Sequence, residues 1–244
     1  MSSTEANAGS EDSTEVQLPL LAAPRAEVFL VETIEELEEA VQTLAAGSGP
    51  FAVDAERASG FKYSQRAYLI QVYRAGSPIY LIDPAAIAPT ADEAPFAGLA
   101  EVLRSDAWIL HAASQDIPCL RELGLTATKL FDTELGSRIA GLERVGLGAV
   151  TEALLGVRLA KEHSAVDWST RPLANDWLNY AALDVDVLFE LWAAVEAVLI
   201  ERNKLDWASQ EFAATLAAQP KSAKVDKWRG MTGLHEVKDQ RKLA

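Results

Sequence analysis

The sequence predicts an α/β domain organised around a mixed β-sheet. Three apolar, strand-like runs lie close together between residues 51 and 83, which is typical of an antiparallel meander. Helical and strand patterns then alternate over residues 95–133, and mainly helical sequence continues to about residue 218. Strands followed by alternating helices and strands indicate helices layered on a sheet.

The first predicted elements are a strand and a helix. "VFLVET" (28–33) has the composition of a short strand, and Thr33 followed by Glu36 matches a capping box at a helix start. The helix has an apolar stripe that ends before Gly47 and consists of Ile34, Leu37, Val41 and Leu44.

The meander follows this helix. Its strands are "GPFAVDAE" (49–56), "AYLIQVYR" (67–74) and "PIYLID" (78–83), with Gly76-Ser77 as a tight connection. These strands are close enough in sequence to pair antiparallel without a crossover.

The second half alternates between helix and strand. "PFAGLAEVLR" (95–104) predicts a helix, and "AWILHA" (107–112) a strand. "SQDIPCLRELG" (114–124) predicts a helix that ends at Gly124, and "KLFDT" (129–133) predicts another strand.

Composition excludes several classes of protein. The formal net charge is −14, which by itself argues against a polyanionic partner unless some carboxylates hold metal ions. One cysteine, Cys119, excludes an internal disulfide framework and predicts a reducing, cytoplasmic location. No run predicts a membrane span or a secretory signal. We expect residues 1–26 to be a disordered acidic tail, residues 27–218 to form the domain, and residues 219–244 to form a basic linker.

Two carboxylates at the end of the first meander strand need a partner. Asp54 and Glu56 are two apart, so they lie on the same face of the strand. Neighbouring anions are costly unless a cation joins them. Asp116, near the start of a helix, is either a further ligand or an ordinary capping residue.

The remaining acid lies in "NYAALDVDVLFELW" (179–192). Tyr180 and Asp184 are four apart on a helix and share one face at the edge of its apolar stripe. We expect Asp186 to point away into solvent, and Tyr180 taken alone would be a packing residue. Together, four acids predict a site for two hard divalent cations, Mg²⁺ or Mn²⁺: Asp54, Glu56, Asp116 and Asp184.

The order and spacing of these motifs resemble the DEDD superfamily of 3′–5′ exonucleases, in its tyrosine-containing branch, and most closely the ribonuclease D family. The motifs are Asp54-x-Glu56, Asp116 five residues after His111, and Tyr180-x-x-x-Asp184. "LIQV" (69–72), "LIDP" (81–84) and "LAKEHSAVDWSTRPL" (159–173) also resemble that family.

The resemblance implies a ribonuclease H-like fold with a five-stranded mixed sheet. It implies that the four acids bind metal, directly or through water, and that Tyr180 orients the attacking water. Lys161 and Arg171 are expected to meet phosphates. His163 either assists the leaving group or is a surface polar residue. His111 is expected to be a hydrogen-bonded core residue.

The segment after Glu56 departs from the family pattern. Arg57 stands where many relatives carry an apolar residue, and we expect residues 57–68 either to grip the end of the substrate or to be an ordinary surface loop. The candidate substrate-binding side chains there are Arg57, Phe61, Tyr63 and Arg66. We expect Trp168 to pack in the core. Residues 226–244 resemble the entry to a helicase-and-RNase-D C-terminal domain.

The resemblance predicts a metal-dependent 3′–5′ exoribonuclease that trims single-stranded RNA 3′ ends, with tRNA and other structured RNA precursors as implied substrates. The same chemistry on DNA 3′ ends is a second reading, because contacts to the 2′-hydroxyl are not visible in the sequence. A catalytically silent nuclease fold that binds nucleic acid or protein is a third. No protein partner is predicted.

Overall fold

The computed structural model describes residues 18–58, 60–87, 94–160 and 166–218. Its strands are β1 (Leu20–Leu21), β2 (Val28–Val31), β3 (Phe51–Arg57), β4 (Ala67–Arg74), β5 (Ile79–Ile82), β6 (Trp108–Leu110), β7 (Leu130–Asp132) and β8 (Arg158–Leu159). Its helices are α1 (Ile34–Ala46), α2 (Pro84–Ile87), α3 (Ala97–Leu103), α4 (Ile117–Glu122), α5 (Thr133–Ala140), α6 (Leu147–Leu155), α7 (Asn175–Asp186), α8 (Leu188–Glu201) and α9 (Leu205–Ala217).

The main sheet is mixed and has the order β2-β5-β4-β3-β6-β7. Strands β3, β4 and β5 pair antiparallel, as the meander predicted. Strands β2, β6 and β7 add parallel pairs at the two sides. The α/β class and the mixed sheet are therefore confirmed.

The expected count of five strands is wrong, because the main sheet has six. All six correspond to apolar runs in the sequence, including β2 at one edge. Residues Val28–Val31 pair with Ile79–Ile82, so β2 satisfies the backbone groups that β5 would otherwise leave unpaired.

The first helix forms as its sequence predicts. Thr33 accepts from the Glu36 amide, and the Glu36 carboxylate accepts from the Thr33 amide, which completes the capping box. Leu37 and Leu44 are buried on the apolar side of α1. The cap fixes where the helix begins, so the chain turns from β2 directly into α1.

Residues 18–26 form a strap across the domain, which corrects the expected disorder of that part of the tail. β1 pairs parallel with β8. Asn179 donates to the carbonyl of Ala22, and Arg25 donates to the Asp186 carboxylate at 2.8 Å. Residues 1–17 and 219–244 lie outside the described residues, so the expected tail, linker and appended domain remain predictions there.

Helix α7 packs across β3, β4 and β5. It is followed directly by α8, and Phe189 of α8 contacts Tyr73 of β4 edge to face at 5.1 Å between ring centroids. This packing brings a late segment of the chain against the first acidic motif. Among the described residues, no helix is both long enough and apolar enough to cross a membrane.

Candidate metal centre

The end of β3 presents two of the predicted acids. Asp54 and Glu56 lie opposite Gln71 and Leu69 of β4, so both carboxylates occupy the same face of the sheet. The pairing register shifts between Glu56 and Arg57, the last residue of β3. On its other side β3 pairs with β6 only at Phe51 and Ala52, so both acids lie beyond that pairing, and both are half-buried.

Helix α7 supplies the third carboxylate. Ligand oxygens of Asp54, Glu56 and Asp184 all lie within 4.8 Å of one another. Asp184 is 8% exposed, and Tyr180, one turn earlier, hydrogen-bonds to it. The expected clustering of residues that are 130 positions apart in the sequence is thus present in the fold.

Asp116 joins this cluster from the other side. It is 5% exposed, and burial and the charge of Asp54 raise its pKa, although it lies outside the group of three whose oxygens fall within 4.8 Å. Asp116 occupies the N-cap position of α4, yet its side chain makes no capping hydrogen bond. The capping alternative is therefore excluded, since the carboxylate faces the other acids.

The electrostatics of the cluster follow from burial and mutual repulsion. Burial is the largest cause that raises the pKa of Glu56, and the charges of Asp54, Asp184 and Asp116 raise it further. Burial also raises the pKa of Asp116 and of Asp54. Such a group of acids favours binding of cations, because cations relieve the repulsion.

The turn before Asp116 is held by Asp132 at the end of β7. Its carboxylate accepts from the amides of Ala112 at 3.0 Å and Ala113 at 2.9 Å, and also from the first turn of α5. Ala112 has a φ of 62°, a conformation that a residue with a side chain adopts at a cost. Four hydrogen bonds to one buried carboxylate therefore stabilise the turn that carries Asp116.

His111 is a hydrogen-bonded residue, as expected. Its Nδ1 lies 2.8 Å from the Thr133 hydroxyl, which in turn lies 3.1 Å from the carbonyl of Leu110. Burial lowers the pKa of His111 to about 4, so the ring is neutral at neutral pH. A neutral imidazole at the edge of the acid cluster adds no charge to it.

A cavity of about 770 Å³ opens over the acids. Arg57 and Phe61 from the predicted gripping segment line it together with the acids and Tyr180. The cavity is also lined by four residues that were not singled out as substrate contacts: Gln65, Gln115, Leu147 and Val166. Three of them lie in or next to segments with motif character, since Gln65 falls within residues 57–68, Gln115 is next to Asp116 and Val166 falls within residues 159–173. Leu147 belongs to no motif.

The other predicted substrate contacts are distributed differently. Tyr63 is fully exposed, and the Arg66 guanidinium lies over the Tyr68 ring at 5.1 Å from its centroid. Neither Tyr63 nor Arg66 lines the cavity. Lys161 and His163 lie outside the described residues.

Arg171 does not meet the expected role. Its guanidinium pairs with the fully buried carboxylate of Asp83, with Nη2 donating at 2.7 Å, and donates to backbone carbonyls of Trp168 and Tyr68. The expectation that Arg171 binds phosphate is therefore corrected. A buried carboxylate needs a cation, and Arg171 is the one that reaches Asp83.

Two further expectations concern α7 and the segment before it. Asp186 is 2% exposed and pairs with Arg25, so the expected solvation of Asp186 is wrong. The strap covers the side of α7 that the helix pattern assigns to solvent. Trp168 is fully buried against Trp177 and Tyr180, as expected for a packing residue.

The chain belongs to the 3′–5′ exonuclease family, whose sequence model matches residues 28–200. Within that family it is similar to ribonuclease D of Acidiphilium cryptum (strain JF-5), at 33% identity over 210 residues that cover 83% of this chain and 51% of the relative. The resemblance to the ribonuclease D group is thereby confirmed. The chain spans about half the length of the curated relatives that it matches first.

Solved structures agree with this assignment. A crystal structure of a protein from Bifidobacterium adolescentis superposes with a TM-score of 0.84 at 41% identity, covering 93% of this chain and 55% of that one. Escherichia coli RNase D, described as an exoribonuclease involved in structured RNA processing, gives a TM-score of 0.68 at 28% identity. That match covers 84% of this chain and 54% of the E. coli chain.

Proposed function

We propose that this chain is a metal-dependent 3′–5′ exoribonuclease that releases 5′-mononucleotides from RNA 3′ ends. The observation that carries the proposal is the convergence of Asp54, Glu56 and Asp184 within 4.8 Å, with Asp116 lining the same cavity. Carboxylates from three separate segments meet at one open cavity within a family of exonucleases.

The four acids are proposed to hold two divalent cations. The donor set fits hard cations, because every group that converges is a carboxylate oxygen donor. We propose Mg²⁺ or Mn²⁺, since both accept such ligands and retain water. When bound, such an ion pair would supply Lewis-acid stabilisation of charge in a phosphoryl displacement.

Tyr180 is proposed to orient the attacking water. Burial, together with the charges of Asp184, Glu56 and Asp54, raises the pKa of Tyr180 well above its ordinary range. The phenol therefore stays protonated at neutral pH and serves as a hydrogen-bonding group, not as a base. Its proximity to Asp184 places the hydroxyl at the acid cluster.

The substrate is proposed to be RNA with a single-stranded 3′ end. Phe61, 55% exposed at the cavity, offers a face on which a terminal base stacks. Because the related E. coli enzyme is described as acting in structured RNA processing, we propose tRNA and similar precursors as substrates. We also propose that residues 27–218 form the exonuclease domain and that it works in the cytoplasm, where the buried thiol of Cys119 stays reduced.

One experiment tests polarity, sugar preference and metal requirement together. Matched RNA and DNA oligonucleotides, labelled at the 5′ or the 3′ end, are digested with EDTA, Mg²⁺ or Mn²⁺. We expect 3′-labelled RNA to lose its label at once as a 5′-mononucleotide, 5′-labelled RNA to shorten stepwise, and EDTA to stop both. DNA degraded as fast as RNA favours the second reading, an exodeoxyribonuclease.

Asp184→Asn is the matched control for this digestion. The substitution retains the shape of the side chain but removes one charge of the ligand set, so we expect turnover to vanish with the fold intact by circular dichroism. Retained turnover in Asp184→Asn removes that residue from the site. If the unchanged protein binds RNA tightly but does not hydrolyse it, the third hypothesis, a catalytically silent binding module, is supported.

A further inference from the structure

Arg57 occupies an unusual position for an arginine in this fold. It follows Glu56 at the register shift near the end of β3, where it pairs with Ala67, and its side chain is 24% exposed. Among the described residues that line the cavity over the acids, Arg57 is the only lysine or arginine. The guanidinium therefore lies inside the site, beside the carboxylates.

The guanidinium N–H groups of Arg57 donate no hydrogen bond to the residues that the structure describes. Its guanidinium makes no hydrogen bond to any described residue, and its ion pair with Asp116, at 3.6 Å between Nη2 and Oδ1, exceeds hydrogen-bond length. Arg74, by contrast, donates to the carbonyls of Gly49 at 3.0 Å and Leu44 at 2.6 Å. Arg74 stabilises the fold, whereas the Arg57 guanidinium donates to none of the residues that the structure describes.

Asp116 is the acid that Arg57 faces, and it is also the acid outside the group of three. Asp54, Glu56 and Asp184 already form a compact ligand set for one cation. Asp116 is the proposed ligand that remains for a second cation, and its Oδ1 lies 3.6 Å from Arg57 Nη2. The Arg57 contact and a second divalent cation would thus compete for one carboxylate.

We infer that Arg57 competes with the second divalent cation for Asp116 and, once displaced, binds a phosphate of the RNA through its guanidinium N–H groups. A guanidinium in contact with Asp116 repels a divalent cation that binds the same carboxylate. Its planar array of N–H donors matches the oxygens of a phosphate. This inference rests on the proposed function, since it requires both the metal pair and an RNA substrate. It adds a residue that couples metal loading to substrate binding.

The metal half of the inference is tested by Mn²⁺ titration, counting bound ions by electron paramagnetic resonance. We expect Arg57→Gln to bind the second Mn²⁺ about fivefold more tightly or better, the size of an ordinary coupling between two sites. Arg57→Lys keeps the charge and should bind like the unchanged protein. Arg104→Gln, which alters the same charge away from the cavity, is the matched control and should also leave both affinities unchanged.

The phosphate half is tested with the same variants on single-stranded RNA at saturating Mn²⁺. We expect Arg57→Gln to raise KM about tenfold through loss of charge-assisted hydrogen bonds. Arg57→Lys should raise KM by part of that factor, because the charge remains and the planar array of N–H donors is lost. In Arg57→Gln, tighter binding of the second Mn²⁺ together with a higher KM for RNA distinguishes this role from simple damage to the fold.

Each half has a result that overturns it. Second-site Mn²⁺ affinity that is unchanged or weaker in Arg57→Gln overturns the competition. A KM that is unchanged in both Arg57 variants overturns the phosphate contact. Failure of the unchanged protein to bind any Mn²⁺ overturns the proposed function and this inference with it. That result differs from the two results above, in which the unchanged protein binds Mn²⁺ and only the Arg57 variants behave against expectation.

Discussion

Tyr180 presents a neutral hydroxyl to a cluster of carboxylates. The hydroxyl hydrogen-bonds to Asp184, and its ring lies 6.4 Å from the ring of the buried Trp168 between centroids. The aromatic contact and the helix therefore fix the ring, while the acids fix the direction of the O–H bond. A group held in this way is suited to the proposed role of orienting a water molecule without accepting its proton.

Replacing Tyr180 with Phe isolates that hydroxyl. We expect Tyr180→Phe to slow RNA hydrolysis about 10- to 100-fold, as is usual when an outer hydrogen-bonding group of a metal site is removed. The affinity for Mn²⁺ should be largely kept, because no carboxylate changes. Tyr73→Phe removes a hydroxyl elsewhere on the same sheet face and should keep full activity. An unchanged rate in Tyr180→Phe would contradict the proposed role.

Individual residues were predictable where their function depends on local spacing. Asp54 and Glu56 share a strand face, and Tyr180 and Asp184 share a helix face, so periodicity alone placed each pair. Arg171 was misassigned because its partner, Asp83, is 88 residues away in the sequence. A basic residue near a motif looks the same in sequence whether it binds substrate or a buried carboxylate.

At the scale of elements, the sequence predicted all six strands of the main sheet and the capped start of α1. These features follow from local patterns of apolar residues and caps. The strap of residues 18–26 was missed, since β1 has only two residues and pairs with a strand far along the chain. The burial of Asp186 was missed for the same reason, because the strap covers it.

The strap is expected to stabilise the helix that carries Tyr180 and Asp184. Arg25 pairs with the buried Asp186 and also with Glu190 at 2.8 Å. Arg25→Met should leave the Asp186 charge buried without a cation and lower the free energy of unfolding by about 1–3 kcal/mol. Urea denaturation measures the change.

A double-mutant cycle provides the control for this prediction. Arg25→Met combined with Asp186→Asn removes both charges, so the pair should lose less than the sum of the single variants. Two results would show that the strap contributes nothing to stability through this ion pair. One is strict additivity of the two single changes in the free energy of unfolding, and the other is a urea midpoint of Arg25→Met equal to that of the unchanged protein.

On the scale of the whole molecule, the fold concentrates negative charge on an already acidic chain. The formal net charge is −14, and the acid cluster lies at a sheet margin beneath α7. The proposed cations would therefore have two effects: they would reduce the repulsion that limits stability, and they would make the site attractive to a phosphate of the proposed RNA substrate. Stability and metal binding should consequently change together with pH.

The direction of that change follows from the raised pKa values of Asp54, Glu56 and Asp116 in the metal-free protein. Protonation of these three carboxyls favours the folded state. Their contribution to the free energy of unfolding is complete below their ordinary pKa values of about 4. It is lost as the pH rises through their raised pKa values in the folded protein. Metal binding needs the deprotonated forms, so stabilisation by Mn²⁺ grows in the same direction.

We therefore expect the Tm of the EDTA-treated protein to fall, through these groups, over the interval in which the pH rises from their ordinary pKa values of about 4 through their raised folded values. Mn²⁺ at about 100 times its Kd should add about 2.7 kcal/mol, or about 5–10 °C in Tm for a chain of this size, and more at the higher pH. Differential scanning fluorimetry measures both effects, and Asp184→Asn should lose most of the increment. A metal-free Tm that rises over this interval, or an Mn²⁺ increment that is larger at the lower pH, would contradict a preformed carboxylate site, because only deprotonated acids held together by the fold couple metal, pH and stability with this sign.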